Sequence, residues 1–373
     1  MKSTMRSREV AVRRTLPSYS RVQNTVREHV HRLIDDGFVL LRDEPREHRG
    51  PPRVVYRAAR GTESHHTAYR RIVDRYFTAQ RTAEFEPDCR AVAAELVDTL
   101  PRDAEVEFIE RFALTFSLRA QRRWLGWPPM VEQALREWTG RNHRATLARD
   151  RDALAAVAKA FDSTIRGVLH ARRAPFAVRI DDLTQELLDE RFDGRPLSDD
   201  ELVSILRNWT VGELGTISAS IGIIVRYLAE HLDVQESLRQ NPEEIPNAVD
   251  EILRIHPPLI ASRRVTTSEV ELRGHRVPAG ERVTVLWASA NRDEAVFGDP
   301  DRFDPPGHSA HNLLYGRGIH NCPAAPLARM EFRVVMEELL AGTGRIELAE
   351  SESDNASFPA GGFRSLRVRV AGR

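Results

Sequence analysis

A chain of 373 residues carrying 55 Lys and Arg against 55 Asp and Glu has no net formal charge and is long enough to bury a large core, as one large domain or two. Its two cysteines, Cys89 and Cys322, exclude a disulfide framework. No apolar run approaches the ~20 residues of a membrane span, and the N-terminus lacks the apolar centre of a signal peptide. The expectation is a cytoplasmic protein that crosses no membrane. The charge is unevenly spread: residues 1–60 hold 14 Lys and Arg against 7 Asp and Glu, which marks off a basic N-terminal segment.

Residues 1–20 are basic and weakly patterned. From Arg21, Val22, Val26, Val30, Leu33 and Ile34 fall on one helical face, and Asp36-Gly37 ends the helix. Phe38–Leu41 reads as a strand, residues 42–52 as a charged loop with Arg46 and Arg49, and Val54-Val55-Tyr56 as a second strand. This order, over about 21–58, resembles the recognition helix and wing of bacterial winged-helix regulators. In that family the helix enters the major groove and basic side chains meet phosphates. Only about twenty residues precede it, so the segment resembles a partial winged helix, and a solvated basic extension is the simpler reading.

A helix opens near His65 and places His66 and Arg70 one turn apart. Residues 83–190 read as helices with polar linkers; Leu96, Val97, Leu100, Phe108, Phe112 and Leu114 fit buried faces, and Trp124–Pro129 a turn. Cys89 takes no role. A long helix is predicted over Leu202–His231 from Leu202, Ile205, Leu206, Trp209, Ile217, Ile221, Ile224, Val225 and Leu228, and it contains Gly212-Glu213-Leu214-Gly215-Thr216. Glu251 and Arg254 share a face of an apolar helix that ends at Pro257-Pro258. Leu259–Val265, Val270–Leu272 and Val283–Trp287 are short extended runs separated by Gly274 and Pro278-Ala279-Gly280, the pattern of an antiparallel sheet.

The stretch Tyr315-Gly316-Arg317-Gly318-Ile319-His320-Asn321-Cys322 is a glycine-hinged loop. It can lie flat against a bulky planar ligand and then enters a helix bearing Leu327, Met330, Val334, Met336, Leu339 and Leu340. Cys322 lies just before that helix, where the dipole favours a thiolate suited to an axial iron ligand. His320 is close enough to bond an anionic edge of the same ligand.

With Leu327-Ala328-Arg329, this loop resembles the haem-thiolate loop of cytochromes P450, with Tyr315 for the usual Phe and Ala324 for the usual Gly. The resemblance extends over about residues 61–373 and implies a mainly α-helical fold with small antiparallel β-sheets. It implies haem b, with Cys322 as proximal iron ligand and His66, Arg70, Arg264 and His320 on the propionates. Segment 202–231 is similar to the helix crossing the oxygen-binding face, with Thr216 as its proton-managing threonine. The acid expected beside it is Gly215; Glu213 lies about 200° around the helix and could substitute only if the helix were distorted. Glu251 and Arg254 match the family's Glu-x-x-Arg lock, with Arg302 as its expected third member. The hairpin at 359–366 matches one whose tip reaches the substrate cavity.

The implied function is a monooxygenase that inserts one atom of O2 into a small organic substrate. Its electrons would come from a separate ferredoxin and ferredoxin reductase, because no flavin or iron–sulfur segment is evident. A second reading is a haem-binding regulator or pseudoenzyme whose N-terminal segment binds DNA or protein. It rests on the missing acid and on a segment before His66 that is shorter than is usual in the family.

Overall fold

The computed structural model describes residues 65–148, 150–272, 274–350, 353–356 and 360–373. The winged-helix-like stretch at 21–58, with the whole segment 1–60, lies outside the described residues.

The described chain is mainly helical. α1 (His65–Asp74) leads through a short 3₁₀ turn into α2 (Ala79–Asp98). After β1 (Ala104–Glu107) comes a π-helical turn, Ile109–Leu114, and then α3 (Thr115–Trp124). α4 (Val131–Leu147) and α5 (Arg151–Arg172) pack on each other, followed by α6 (Leu183–Asp189) and a hairpin of β2 (Arg191–Phe192) and β3 (Arg195–Pro196). The longest helix, α7 (Asp199–Glu230), is followed by α8 (Leu232–Gln240) and α9 (Ile245–Ile255). β4 (Ala261–Val265) pairs antiparallel with β7 (Arg282–Leu286), and β5 (Val270–Leu272) with β6 (His275–Val277). Short helical turns then lead to α10 (Ala325–Gly342). β8 (Ile346–Leu348), β11 (Arg367–Val370) and β1 form one antiparallel sheet, with β11 central, while β9 (Asp354–Asn355) and β10 (Phe363–Ser365) form the last hairpin.

α7 is the axle. Ser198 and Glu201 form a capping box at its start: the Ser198 hydroxyl accepts the Glu201 N–H at 3.3 Å, and the Glu201 carboxylate accepts the Ser198 N–H at 2.7 Å. The same carboxylate takes two bonds from Arg195 and one from the Tyr69 hydroxyl, which ties α1 to the head of α7. Leu202, Leu206, Ile221, Ile224 and Leu228 are buried in the main core. By length and composition α7 could cross a membrane, but 67% of its apolar window is buried inside the fold, so it is the core helix of a folded domain. Gly222 permits its close contact with the π-helical turn, because a Cβ there would come within 2.5 Å of the Ile109 side chain. α10 packs on α2 and also meets α7 and α9, so the helix after Cys322 is held on several sides. Cys89, on α2, is fully buried.

Candidate active site

The cysteine loop is built by two left-handed glycines. Gly316 has φ +72° and Gly318 φ +74°, conformations a side chain would strain. They fold the chain so that the Cys322 N–H donates to the Tyr315 carbonyl at 2.9 Å. Cys322 is half-buried, two residues before Ala324, the N-cap of α10. Burial pushes its thiol up; the Ala324 N–H opposes this, the Glu213 carboxyl adds to it, and the charges of Arg70 and Arg329 oppose it. Ala324 has φ −84°, so its methyl brings no backbone strain where the family pattern has glycine.

Tyr315 gains a tether that phenylalanine lacks. Its hydroxyl donates to Asp250 Oδ1 of α9 at 3.3 Å, and the Arg329 guanidinium lies 4.4 Å from its ring centre while binding Asp250 Oδ2 at 2.8 Å. The loop is thus fastened to α9 on one side and α10 on the other.

α1 delivers His66 and Arg70 to the same loop. The His66 and His320 rings meet edge-on with centroids 4.5 Å apart, and Arg70 Nη1 donates to the Ile319 carbonyl at 3.3 Å. Arg70 also pairs with Asp74, one turn on, at 2.5 Å. Burial and the Arg70 charge lower the His66 pKa, so the ring is neutral at pH 7. Arg264 comes from β4. It is half-buried, and Nη1 donates to Ser262 Oγ at 3.2 Å and to the Arg263 carbonyl at 2.9 Å. Among the described residues no carboxylate pairs with it, and burial lowers its pKa. The structure therefore brings His66, Arg70, His320 and Cys322 together directly; Arg264 stands on β4, and among the described residues no carboxylate pairs with it.

α7 is unbroken through Gly212 and Gly215, so the distortion that would turn Glu213 into the place of the missing acid does not occur. Asn208, Val211, Gly212, Gly215 and Thr216 form an exposed strip on this otherwise buried helix, and an added Cβ at either glycine would meet nothing within 4 Å. Glu213 faces the other way. It is 6% exposed and touches Glu331 of α10. Gly362, at the tip of the last hairpin, approaches α7 at Ala219 and Ile223.

Behind the loop, Arg254 is fully buried and donates from Nε and Nη2 to Glu251 at 2.7 and 2.9 Å. The third member of this lock is His308, whose Nδ1 lies 2.7 Å from Glu251 Oε1. Arg302, expected there from the sequence, is exposed. The His308 substitution was missed because it comes six residues later, in a short helical turn capped by Asp304 that only the fold folds back onto α9.

A mainly helical chain with a long core helix, a cysteine loop at a helix start and cations gathered beside that loop defines a protein built to hold a planar, acidic cofactor through sulfur. The family model for cytochrome P450 matches residues 141–342. The chain is 33% identical to erythromycin C-12 hydroxylase of Saccharopolyspora erythraea, over 75% of this chain and 71% of that one. It is 31% identical to cyclomarin C epoxidase of Salinispora arenicola, over 81% and 78%. Among solved structures, a cytochrome P450 from Chondromyces apiculatus superposes with a TM-score of 0.79 at 28% identity, covering 94% of this chain and 89% of that one.

The chain belongs to the cytochrome P450 family. It is a haem-thiolate monooxygenase that inserts one oxygen atom from O2 into a small organic substrate. The residues present fit the cofactor: a thiol beside a helix start, a half-buried arginine with no carboxylate partner among the described residues, and a helix face kept free of side chains at two glycines.

Proposed function

We propose that Cys322 is the axial thiolate of a haem b group, with His66, Arg70, Arg264 and His320 around its carboxylates and Thr216 on the oxygen-binding side. The observation that carries this reading is the loop geometry. Two left-handed glycines turn the chain so that the half-buried Cys322 sulfur lies beside the Ala324 N–H at the mouth of α10. When bound, the haem supplies the iron at which O2 is activated, and thiolate ligation favours O–O cleavage.

The chain's own residues supply the setting. The Ala324 N–H and the α10 dipole stabilise the anionic sulfur. Arg264, which no carboxylate pairs with among the described residues, would hold a propionate by charge-assisted bonds, and Arg70 would do so while remaining tied to the loop at Ile319. Gly212 and Gly215 leave room on α7, and the Thr216 hydroxyl beside them can accept and pass a proton. Residues 61–373 form the haem domain in this reading, and 1–60 a separate basic segment. The partner is a ferredoxin with its reductase, the compartment the cytoplasm, and the reaction hydroxylation or epoxidation, the activities named for the relatives.

The test is the absorption spectrum of reduced, carbon-monoxide-treated protein beside Cys322→Ser. The red-shifted thiolate band in the first and its loss in the second are expected. A wild-type band typical of neutral ligation would overturn the assignment of Cys322.

A further inference from the structure

Between α4 and α5 lies a cleft of about 140 Å³ that the haem site does not use. Its walls are the facing sides of the two helices. Glu137, Trp138 and Arg141 come from α4, and Val157, Ala160 and Phe161 from α5, in each case within one or two turns on one face. Among the described residues, none from α7, β4 or the last hairpin lines it, and those are the elements that carry Thr216, Arg264 and Gly362. The α5 wall is fixed in place by the next residue, Asp162, whose carboxylate accepts two bonds from Arg207 of α7 at 2.7 and 2.9 Å.

The cleft is aromatic inside and charged at its rim. Val157 and Phe161 are buried, and the Trp138 ring stacks on Phe161 with centroids 4.5 Å apart. The Trp138 indole N–H is buried without an acceptor, a state that costs free energy until an oxygen reaches it. Glu137, Arg141 and Ala160 are exposed. Glu137 Oε1 already accepts a bond from Gln133 Nε2 at 2.8 Å. The ion pairs of α4 are made by Glu132 and Arg136, and among the described residues none engages Arg141. Ala160 contributes only a methyl group, which leaves the space open. The volume is close to the roughly 150 Å³ of a dry apolar cavity that admits one benzene ring.

We propose that this cleft binds a small aromatic carboxylate, with its ring against Trp138, Phe161 and Val157 and its carboxylate on the Arg141 guanidinium and the Trp138 N–H. Trp138 and Arg141 stand at i and i+3, so one carboxylate can meet both donors. Its two oxygens supply the acceptor that the indole lacks and the counter-ion that the guanidinium lacks, and the bond to the guanidinium is charge-assisted. An uncharged ring would leave Arg141 unpaired. An aromatic amine would find only Glu137, which Gln133 already engages, and would meet the Arg141 charge one turn away. The occupant touches both helices and so joins α4 to α5. No part of this reading depends on how the haem is held.

The experiment titrates full-length, haem-loaded protein with phenylacetate, followed by calorimetry, tryptophan fluorescence and haem absorption. Wild type should bind with a Kd of about 1 mM or tighter, quench tryptophan emission and leave the haem spectrum unchanged. Benzylamine, of the same size and opposite charge, should bind at least about tenfold more weakly, and Arg141→Gln should weaken phenylacetate by about tenfold. Ala160→Leu puts a good helix former at an exposed position and fills the cleft, so it should abolish binding with the circular dichroism spectrum intact. Absence of binding to wild type would overturn the proposal. So would phenylacetate binding that survives in folded Ala160→Leu or that shifts the haem absorption, because the ligand would then sit elsewhere. Benzylamine bound as tightly as phenylacetate, or unchanged affinity in Arg141→Gln, would overturn the assignment of the carboxylate to Arg141.

Discussion

The lock behind the cysteine loop gives the sharpest stability prediction. Arg254 is fully buried and makes five polar contacts: two to Glu251, one each to the carbonyls of Asn291 at 2.6 Å and Pro300 at 2.7 Å, and one to His308 Nδ1 at 3.2 Å. Its guanidinium also lies 4.7 Å from the Phe297 ring centre. Glu251→Ala removes the counter-ion and strands a buried charge, a loss of about 3–5 kcal/mol. That is a large share of the roughly 5–15 kcal/mol that stabilises a typical domain. Arg254→Ala strands the carboxylate and two carbonyls and should cost about the same. The double variant strands no charge, leaving a cavity and unpaired carbonyls at about 1–3 kcal/mol each. It should therefore lose no more than about 5 kcal/mol, with a coupling energy near 3 kcal/mol. Urea unfolding followed by far-ultraviolet circular dichroism measures all three. Losses that add to within about 0.5 kcal/mol would refute a shared, desolvated pair.

The same pair sets a pH dependence: burial would raise the Glu251 carboxyl, but bonds from Arg254, His308 and the Asp304 N–H outweigh it and hold the carboxyl below its ordinary value. Its stabilisation is complete above the unfolded pKa of about 4.3 and is lost as pH falls through the lower folded value, so the acid midpoint of Glu251→Gln should change less steeply than that of wild type. On the proposed assignment of Arg264 to a propionate, Arg264→Ala would remove a charge-assisted bond worth about 1.5–3 kcal/mol and should speed haem transfer to an acceptor globin roughly 10- to 100-fold. Thr216→Ala should leave the carbon monoxide spectrum intact while diverting electrons to peroxide, measured as peroxide formed per NADPH consumed. Tyr315→Phe removes one 3.3 Å bond to an Asp250 that Arg329 still pairs, so its cost should stay within about 1 kcal/mol.

Much of this was legible in the sequence because the signals were local. α7 follows from apolar spacing, and the observed helix, 199–230, extends the expected 202–231 only at its start, where Ser198 and Glu201 cap it. Gly316 and Gly318 flanking one residue announced the loop, and both have positive φ. Less was legible where partners are distant in sequence. Exposure separates Arg302 from His308, and no local pattern carries it. Cys89 sits among polar residues in sequence yet is fully buried, because α10 covers α2.

Glu213 shows how helical arithmetic and burial combine. The 100° step of an α-helix already placed it away from position 215, and the unbroken α7 leaves it there. What the arithmetic could not supply was the neighbour, because Glu331 lies on a helix more than a hundred residues further on. An acid on the buried face of a core helix would by itself be a costly defect. Facing a second acid, it becomes a place where a proton is held.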